Sequence, residues 1–301
     1  MKKYRVLYNP KSGNGRGEAD VHKLENIWPE ADFSYSDITA ISDIPGYLTT
    51  VPEDTGIILA GGDGTVNHFI NDLGGKDPGR EILYFATGTG NDFLNDIGVE
   101  YGAPPFRLNE YIINLPVVYV NGLEKYFLNG IGYGIDGYCC EVGDKIRAAS
   151  DKPVNYTSIA IKGLIYGYHR TCAEITIDGV SKSYKKVWLS PTMKGRYIGG
   201  GMKIAPQQDR LAADGSVSLM VMRCRSKLKT LMVFPTIFKG DHVKHTKIVD
   251  IFQGHEVHVK FDRPTALQID GETVLGVTEY TVKAPRLAEK TPAEKEMAGV
   301  V

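Results

Sequence analysis

Three glycine-rich turns and two aspartates hold the residue types that phosphate chemistry needs. "LAGGDGTVNHF", Leu59 to Phe69, places Gly61, Gly62 and Gly64 around one carboxylate, Asp63. "YNPKSGNGRG" places Asn9, Pro10, Ser12 and Gly13 after an apolar run, and "ATGTGNDF" places Gly88, Thr89, Gly90, Asn91 and Asp92 after another. Glycine lets the backbone take positive φ and approach a phosphate closely. Amides at a helix start then point at the anion, and the helix dipole favours it. A carboxylate beside phosphates repels them unless a cation lies between, so Asp63, with Asp92 near it, argues for Mg²⁺ on a nucleotide. One such turn is equally read as a tight strand-to-helix connection with a capping aspartate. Three at one sheet edge describe a phosphate cradle. No GxxxxGK[ST] and no GxGxxG after the first strand occur, which argues against P-loop and dinucleotide sites.

The elements that must position these turns alternate over the first hundred residues. "YRVLYNP", "DFSYSDI", "TGIILAGG" and "EILYFATG" read as strands. "GEADVHKLENIW", "DIPGYLTTV" and "TVNHFINDLGG" read as helices, the last starting at Thr65 or Val66. Such alternation predicts a parallel sheet with covering helices, whose ligands bind at the carboxyl ends of the strands. From about Val117 the chain turns to short strands separated by Asn-Gly and Asp-Gly, the signature of antiparallel hairpins. Inserted helices are expected around Tyr156 to Arg170 and Leu228 to Lys239. "GIGYGIDG", Gly130 to Gly137, reads as tight strand packing near the cleft, and Asp136 as a turn residue. The fold class is therefore α/β plus all-β, with an N-terminal parallel-sheet nucleotide-binding domain and an antiparallel β-sandwich-like domain. The expected division is 1–116, 117–284 and a polar tail, 285–301, that returns to the first domain if it docks.

The chain has 301 residues, of which 42% are hydrophobic and 24% charged, enough apolar content for a full core. Its formal net charge of −1 excludes a global field for nucleic acid or anionic lipid, so any membrane contact must come from a local patch. The first residues read as a strand rather than a signal peptide, and no apolar run is long enough to span a bilayer. The four cysteines suit neither a zinc site nor a disulfide framework, which fits a reducing cytosol. Two segments bear on membranes. "GDHVKHTK", Gly240 to Lys247, is a solvated face or a contact for anionic headgroups. "YTSIAIKGLIYGYH" is apolar on more than one face, and is a core helix or the lining of a lipid-tail pocket.

"NPKSG", "GGDGTVN", "GTGNDF", "NGIGYGID", "GGGMKIAP", "ADGSVSL" and "IDGE" together resemble the diacylglycerol kinase catalytic family of lipid kinases, related to sphingosine and ceramide kinases. The resemblance covers nearly the whole chain. "GGDGT" is shared with NAD kinases, whereas "GTGNDF" and the late "DGE" are more specific. The resemblance implies ATP on the first domain and a lipid substrate entering the cleft from a membrane surface. It implies nucleotide contacts at Asn9, Pro10, Lys11, Ser12 and Gly13. A second set runs through Gly62, Asp63, Gly64, Thr65, Val66, Asn67 and His68, with Thr89 and a looser match at Thr39. It implies Glu272 as catalytic base, with Asp63 as the residue of the Mg²⁺–nucleotide. It also implies a structural Mg²⁺ on the "RLAADGS" loop, held by the Asp214 carboxylate and the carbonyls of Leu211 and Ser216. The family's usual glutamate after "GGDGT-x-N" is His68 here, and its usual proline before "GTGND" is Ala86.

From these residues the expected activity is transfer of the ATP γ-phosphate to a lipid hydroxyl, with diacylglycerol the first candidate. The hydroxyl needs a base during attack, and Glu272 follows an Asp-Gly turn that can project a carboxylate into the cleft. On residue types alone "DGE" and "AADGSV" are also ordinary hairpin turns. The competing readings are an NAD kinase and a catalytically silent lipid- or nucleotide-binding protein. A cytoplasmic protein with transient peripheral membrane association is expected, with no nucleic-acid partner and with a homodimer compatible with the resemblance.

Overall fold

The computed structural model describes residues 1–88, 91–149 and 154–287. Its first sheet holds β1 (Lys2–Tyr8), β2 (Ala31–Asp37), β3 (Thr55–Gly61), β4 (Ile82–Ala86) and β5 (Phe106–Arg107), in the order β2-β1-β3-β4-β5. β1 to β4 pair in parallel, and β5 adds an antiparallel edge that the sequence reading did not include. β3 reads as an almost unbroken apolar run because helices cover both faces. Ile57 and Leu59 pack on Val66, Phe69 and Phe93, while Ile58 and Ala60 pack on Val21 and Leu24. The helix after β3 starts at Asp63, two residues before Thr65, with Gly62 at its N-cap, and runs to Asp72. Asp63 is thus a first-turn residue at the positive end of the helix dipole, where a carboxylate is favoured.

The second half holds β6 (Val117–Val120), β7 (Leu123–Tyr126), β8 (Gly130–Tyr133), β9 (Thr171–Ile177), β10 (Val180–Leu189) and β11 (Thr192–Met193). There follow β12 (Tyr197–Ile198), β13 (Met202–Lys203), β14 (Val217–Arg223), β15 (Val249–Gly254), β16 (Glu256–Ile269) and β17 (Glu272–Lys283). Except for the β12–β13 pair, they form one antiparallel sheet in the order β7-β6-β17-β16-β8-β11-β14-β10-β9, with β15 on β14. The long β16 pairs with β8 through Leu267–Ile269 and with β9 through Val257–Phe261, so the sheet closes around Tyr133, Val187, Leu219, Val259 and Tyr280. Asn121-Gly122, Asp178-Gly179 and Asp270-Gly271 each form a two-residue hairpin loop with positive φ at both positions. That pattern is the type I′ turn, which Asn-Gly and Asp-Gly favour. The expected α/β-then-antiparallel-β class is what the chain adopts.

The 15-residue helix Ile135–Ala149 departs from the sequence reading, which took its first residues as strand packing. Its glycines obscure it in sequence, yet they are what lets it pack. A Cβ at Gly137 would stand 1.9 Å from the Ala266 carbonyl oxygen, and one at Gly143 would stand 2.7 Å from the Tyr156 ring. The two expected insertions are present as Tyr156–Lys162, continued by a wide turn at Gly163–Gly167, and Lys227–Val233, continued by a 3-10 segment at Phe234–Lys239. Among the described residues no helix is long and apolar enough to cross a membrane. Of the tail, whose return to the first domain depends on its docking, only residues 285–287 are described. The Leu287 amide donates to the Asp214 carbonyl, on the second domain, and residues 288–301 lie outside the described residues.

Candidate active site

Parallel pairing brings the turns after β1, β3 and β4 to one sheet edge, and direct contacts weld them together. Asn9 Nδ2 donates to Thr65 Oγ1 at 3.0 Å, tying the first turn to the second. The hydroxyls of Ser12 and Thr87 share a hydrogen bond of 2.8 Å, tying the first to the third. The second and third turns meet through the amides of Thr87 and Gly88, which donate to the Gly61 carbonyl at 2.9 and 3.2 Å, and glycine permits the approach: a Cβ on Gly88 would stand 2.4 Å from Gly62 Cα. Gly13 adopts φ +58°, and a Cβ there would strike the Thr87 carbonyl at 2.5 Å. These glycines are required by close approach between turns, as well as by any ligand. Pro10 and Lys11 follow Asn9, whose Oδ1 accepts from the Lys11 amide at 2.9 Å. Gly64 is exposed at the helix start and Val66 is buried in the core beneath it. Thr89 lies outside the described residues.

Asp63 sits where the turns meet. Its Oδ2 accepts from the Phe93 amide at 3.1 Å and from Asn129 Nδ2 at 2.9 Å. Its Oδ1 is buried and has no hydrogen-bond partner. Burial pushes the carboxyl up to about 7, opposed by the Phe93 amide, with Asp92 and Asp270 raising it further and Arg210 lowering it. An orphaned carboxylate oxygen beside backbone-lined turns is the donor set that a hard, oxygen-loving cation completes once phosphates supply the remaining ligands. The residues therefore fit Mg²⁺ carried by a nucleotide. Among the described residues there is no cluster of three or more His, Cys, Asp or Glu able to hold a metal without that help.

Other carboxylates at this place are already spoken for. Asp92 does not present free oxygens: they accept from the amides of Gly200 at 2.9 Å and Gly201 at 2.6 Å, in the turn between β12 and β13. Burial still raises its pKa. Asn67 is turned away from the nucleotide turns, donating to Asp270 Oδ2 at 2.7 Å and to the Tyr126 carbonyl at 3.2 Å. Asp270 also accepts from the amides of Leu128, Asn129 and Gly130, which fixes the hairpin that carries Glu272. Arg210, nearly fully buried, donates to Asp96 Oδ2 at 2.6 Å, to the Leu128 carbonyl at 2.5 Å and to Asn129 Oδ1 at 2.6 Å. Asn129 thereby links the Arg210 guanidinium to Asp63. Asn129, Arg210 and Asp270 were not singled out as site residues, although each lies in a motif quoted for the resemblance.

Glu272 opens β17 directly after the Asp270-Gly271 turn and is partly exposed. Its Oε2 pairs with Lys125 and its Oε1 lies 3.5 Å from His68 Nε2. Nothing in the motifs points to Lys125, which comes from the neighbouring hairpin β6–β7. His68 stands five residues after Asp63 on the same helix, so that helix links the nucleotide turn to Glu272. Thr39 is exposed just past the end of β2, with its amide and hydroxyl both donating to Asp37 Oδ1.

In the "RLAADGS" loop part of the expected donor set is engaged within the chain. Asp214 Oδ1 accepts from the Ser216 amide at 3.0 Å, and the Ser216 carbonyl accepts from Gln208 Nε2 at 3.0 Å. The Ser216 amide, with His255 nearby, holds the Asp214 carboxyl below the usual range. Leu211 lies on the exposed side of the loop, its amide donating to Asp209. Asp214 and Ser216 are brought together.

The chain matches known proteins along its length. Residues 3–112 match the family described as the diacylglycerol kinase catalytic domain, and residues 129–289 match the YegS C-terminal NAD kinase beta sandwich-like domain. A Bacillus subtilis (strain 168) protein named diacylglycerol kinase is 26% identical over 286 residues, 90% of either chain. A Mycobacterium tuberculosis (H37Rv) protein of the same name is 27% identical over 215 residues, 68% of this chain and 66% of its own. A crystal structure from Bacillus anthracis str. Sterne, provisionally named a diacylglycerol kinase, shares the fold with a TM-score of 0.65 at 20% identity, over 97% of this chain and 96% of that one. Family membership implies phosphotransfer from ATP. With both halves matched in order, the chain belongs to the diacylglycerol kinase catalytic-domain family.

Proposed function

We propose that this protein transfers the γ-phosphate of ATP to the hydroxyl of a membrane lipid, with diacylglycerol, giving phosphatidate, as the first candidate. The observation that carries the reading is the pair Asp63 and Glu272, an orphaned carboxylate oxygen at the phosphate turns and a second carboxylate that meets His68 of the same helix. Bound Mg²⁺–ATP supplies the phosphoryl group and the cation that offsets its charge. The chain's own residues do the positioning. The turns at Asn9–Gly13, Gly62–Thr65 and Gly88 would offer amides and hydroxyls to the phosphates, and Asp63 Oδ1 would hold the cation. Glu272 accepts the proton of the attacking hydroxyl, oriented by Lys125 and His68. Phosphoryl transfer asks for alignment and neutralised charge more than covalent help, which fits a site built of turns and two carboxylates.

The test is transfer of labelled γ-phosphate to a panel of acceptors presented in detergent micelles: diacylglycerol, monoacylglycerol, ceramide, sphingosine, phosphatidylglycerol, undecaprenol and NAD. Glu272→Gln runs beside the wild type. A labelled lipid that disappears in the variant supports both the reaction and the base. Label on NAD alone, or on nothing, overturns the lipid-kinase reading. A labelled lipid that persists undiminished in the variant removes Glu272 from its role.

A further inference from the structure

A chain of net charge −1 carries, among the described residues, a strongly cationic groove lined by none of the residues of the cleft. Its volume is about 760 Å³, and Lys185, Lys186, Arg225, Lys229 and Lys247 line it. Among the described residues none of these five pairs with a carboxylate, whereas the two other cations of the groove, Lys182 and Arg223, both pair with Asp250. Five cations held together without counter-charge repel one another, and they persist at little cost only where solvent or an anionic partner screens them.

The groove has an apolar rim. The helix Lys227–Val233 buries Thr230 and Val233 against the domain and turns Leu228 and Met232 outward, each 70% exposed. Lys227 Nζ donates to the Ile165 carbonyl, which lays this helix beside the Gly163–Gly167 turn. There Ile165 and Tyr166 are exposed, as is Ile161 one helical turn before, while Ile159, Ala160 and Leu164 are buried. The segment that is apolar on more than one face therefore buries one face and leaves the other open among the described residues. Lys247, from the basic stretch Gly240 to Lys247, also lines the groove.

We propose that this face is a docking surface for an anionic lipid bilayer, with the groove taking headgroup phosphates and Ile161, Ile165, Tyr166, Leu228 and Met232 entering the acyl boundary. Charge complementarity selects the anionic partner, and the aliphatic rim selects a bilayer over a nucleic acid, which offers phosphates but nothing for aliphatic side chains to enter. The surface also stands close to the cleft wall. Tyr138, two residues past the buried Asp136, packs against Gly163 and Gly167, where a Cβ would meet its ring or hydroxyl at 2.9 and 2.3 Å. The proposal rests on the lipid-kinase reading for its purpose, though not for its detection.

The test is flotation of the full chain, without ATP, with vesicles of phosphatidylglycerol and phosphatidylcholine in equal parts and with vesicles of phosphatidylcholine alone. Binding to the mixed vesicles and little to the neutral ones is expected, weakening as salt rises. Lys229→Gln with Lys247→Gln should lower the affinity about 25-fold, at about fivefold per lysine. Leu228→Ser with Met232→Ser should lower it at least about tenfold, from two side chains that no longer enter the bilayer. Both variants should keep micellar phosphotransfer at the wild-type rate, since none of the four residues belongs to the cleft. Mixed vesicles bound equally by wild type and both variants would place docking elsewhere and sink the proposal. So would no vesicle binding at all, whether or not a micellar lipid is phosphorylated, and so would tighter binding to RNA than to mixed vesicles.

Discussion

Asp63 and Asp96 are both buried at the boundary between the two halves of the chain, and both are linked to Arg210, yet they are treated oppositely. Asp96 receives its full complement: the Arg196 amide at 3.0 Å, Arg196 Nε at 2.7 Å and Arg210 Nε at 2.6 Å. Arg210 is in turn seated 4.9 Å from the centre of the Phe93 ring. Asp63 receives two donors on one oxygen and none on the other. A saturated buried carboxylate locks two pieces of chain together. An unsaturated one, its pKa raised by desolvation, is a place held open for a cation. Asn129 joins the two by accepting from Arg210 and donating to Asp63, so the lock sets the position of the open site.

Removing the lock should have the largest effect. Arg210→Met leaves Asp96 buried with one partner fewer, and loss of one partner from a buried ion pair costs about 3–5 kcal/mol. Urea unfolding should show that loss, and a change below about 1 kcal/mol would mean that Asp96 and Arg210 hold nothing together. Asp63→Asn should behave in the opposite way. Its single oxygen can still accept from Phe93 and Asn129, and no charge remains to be desolvated, so the melting temperature should hold or rise. Phosphotransfer should fall about a hundred- to a thousandfold, the scale seen when one electrostatic group is taken from a reacting centre. A variant that is both less stable and fully active would reverse the roles assigned to Asp63 and Asp96.

How much of this was legible in the sequence follows the range of the interaction. β3 and its glycine turn could be read from "TGIILAGGDG", because a parallel strand buried on both faces and a phosphate-type turn are local patterns. The type I′ hairpins could be read for the same reason. The Ile135–Ala149 helix could not, since Gly137 and Gly143 look like helix breakers until Ala266 and Tyr156 are seen against them. At the site, Asp63 and Glu272 stood in motifs, whereas Lys125 sits in an undistinguished "GLEKYF" and meets Glu272 only through strand pairing. Asn67 and Asp92 were legible as polar residues near phosphate turns. That their side chains serve Asp270 and the Gly200–Gly201 amides depends on the second domain, more than one hundred residues away in both cases.

Asp136 offers the mildest version of the same contrast, a buried carboxylate with Gln268 Nε2 as a side-chain donor at 2.9 Å. Burial pushes it up to about 6, with Gln268 opposing and Asp92 raising it further. In the unfolded chain the same group releases its proton near 3.8. Between these values the native state binds the extra proton, so stability must fall as pH rises through that window and level off above about 6. The whole contribution is roughly 2–3 kcal/mol at most. Asp92 and Asp63 add slopes of the same sign, so the quantity to measure is the difference between wild type and Asp136→Asn. The asparagine keeps an acceptor for Gln268 and carries no titration, so the variant should match the wild type below 3.8 and exceed it above about 6. Parallel stability curves across that range would show that Asp136 is as fully compensated as Asp96, and that Asp63 alone among these aspartates is held unsatisfied.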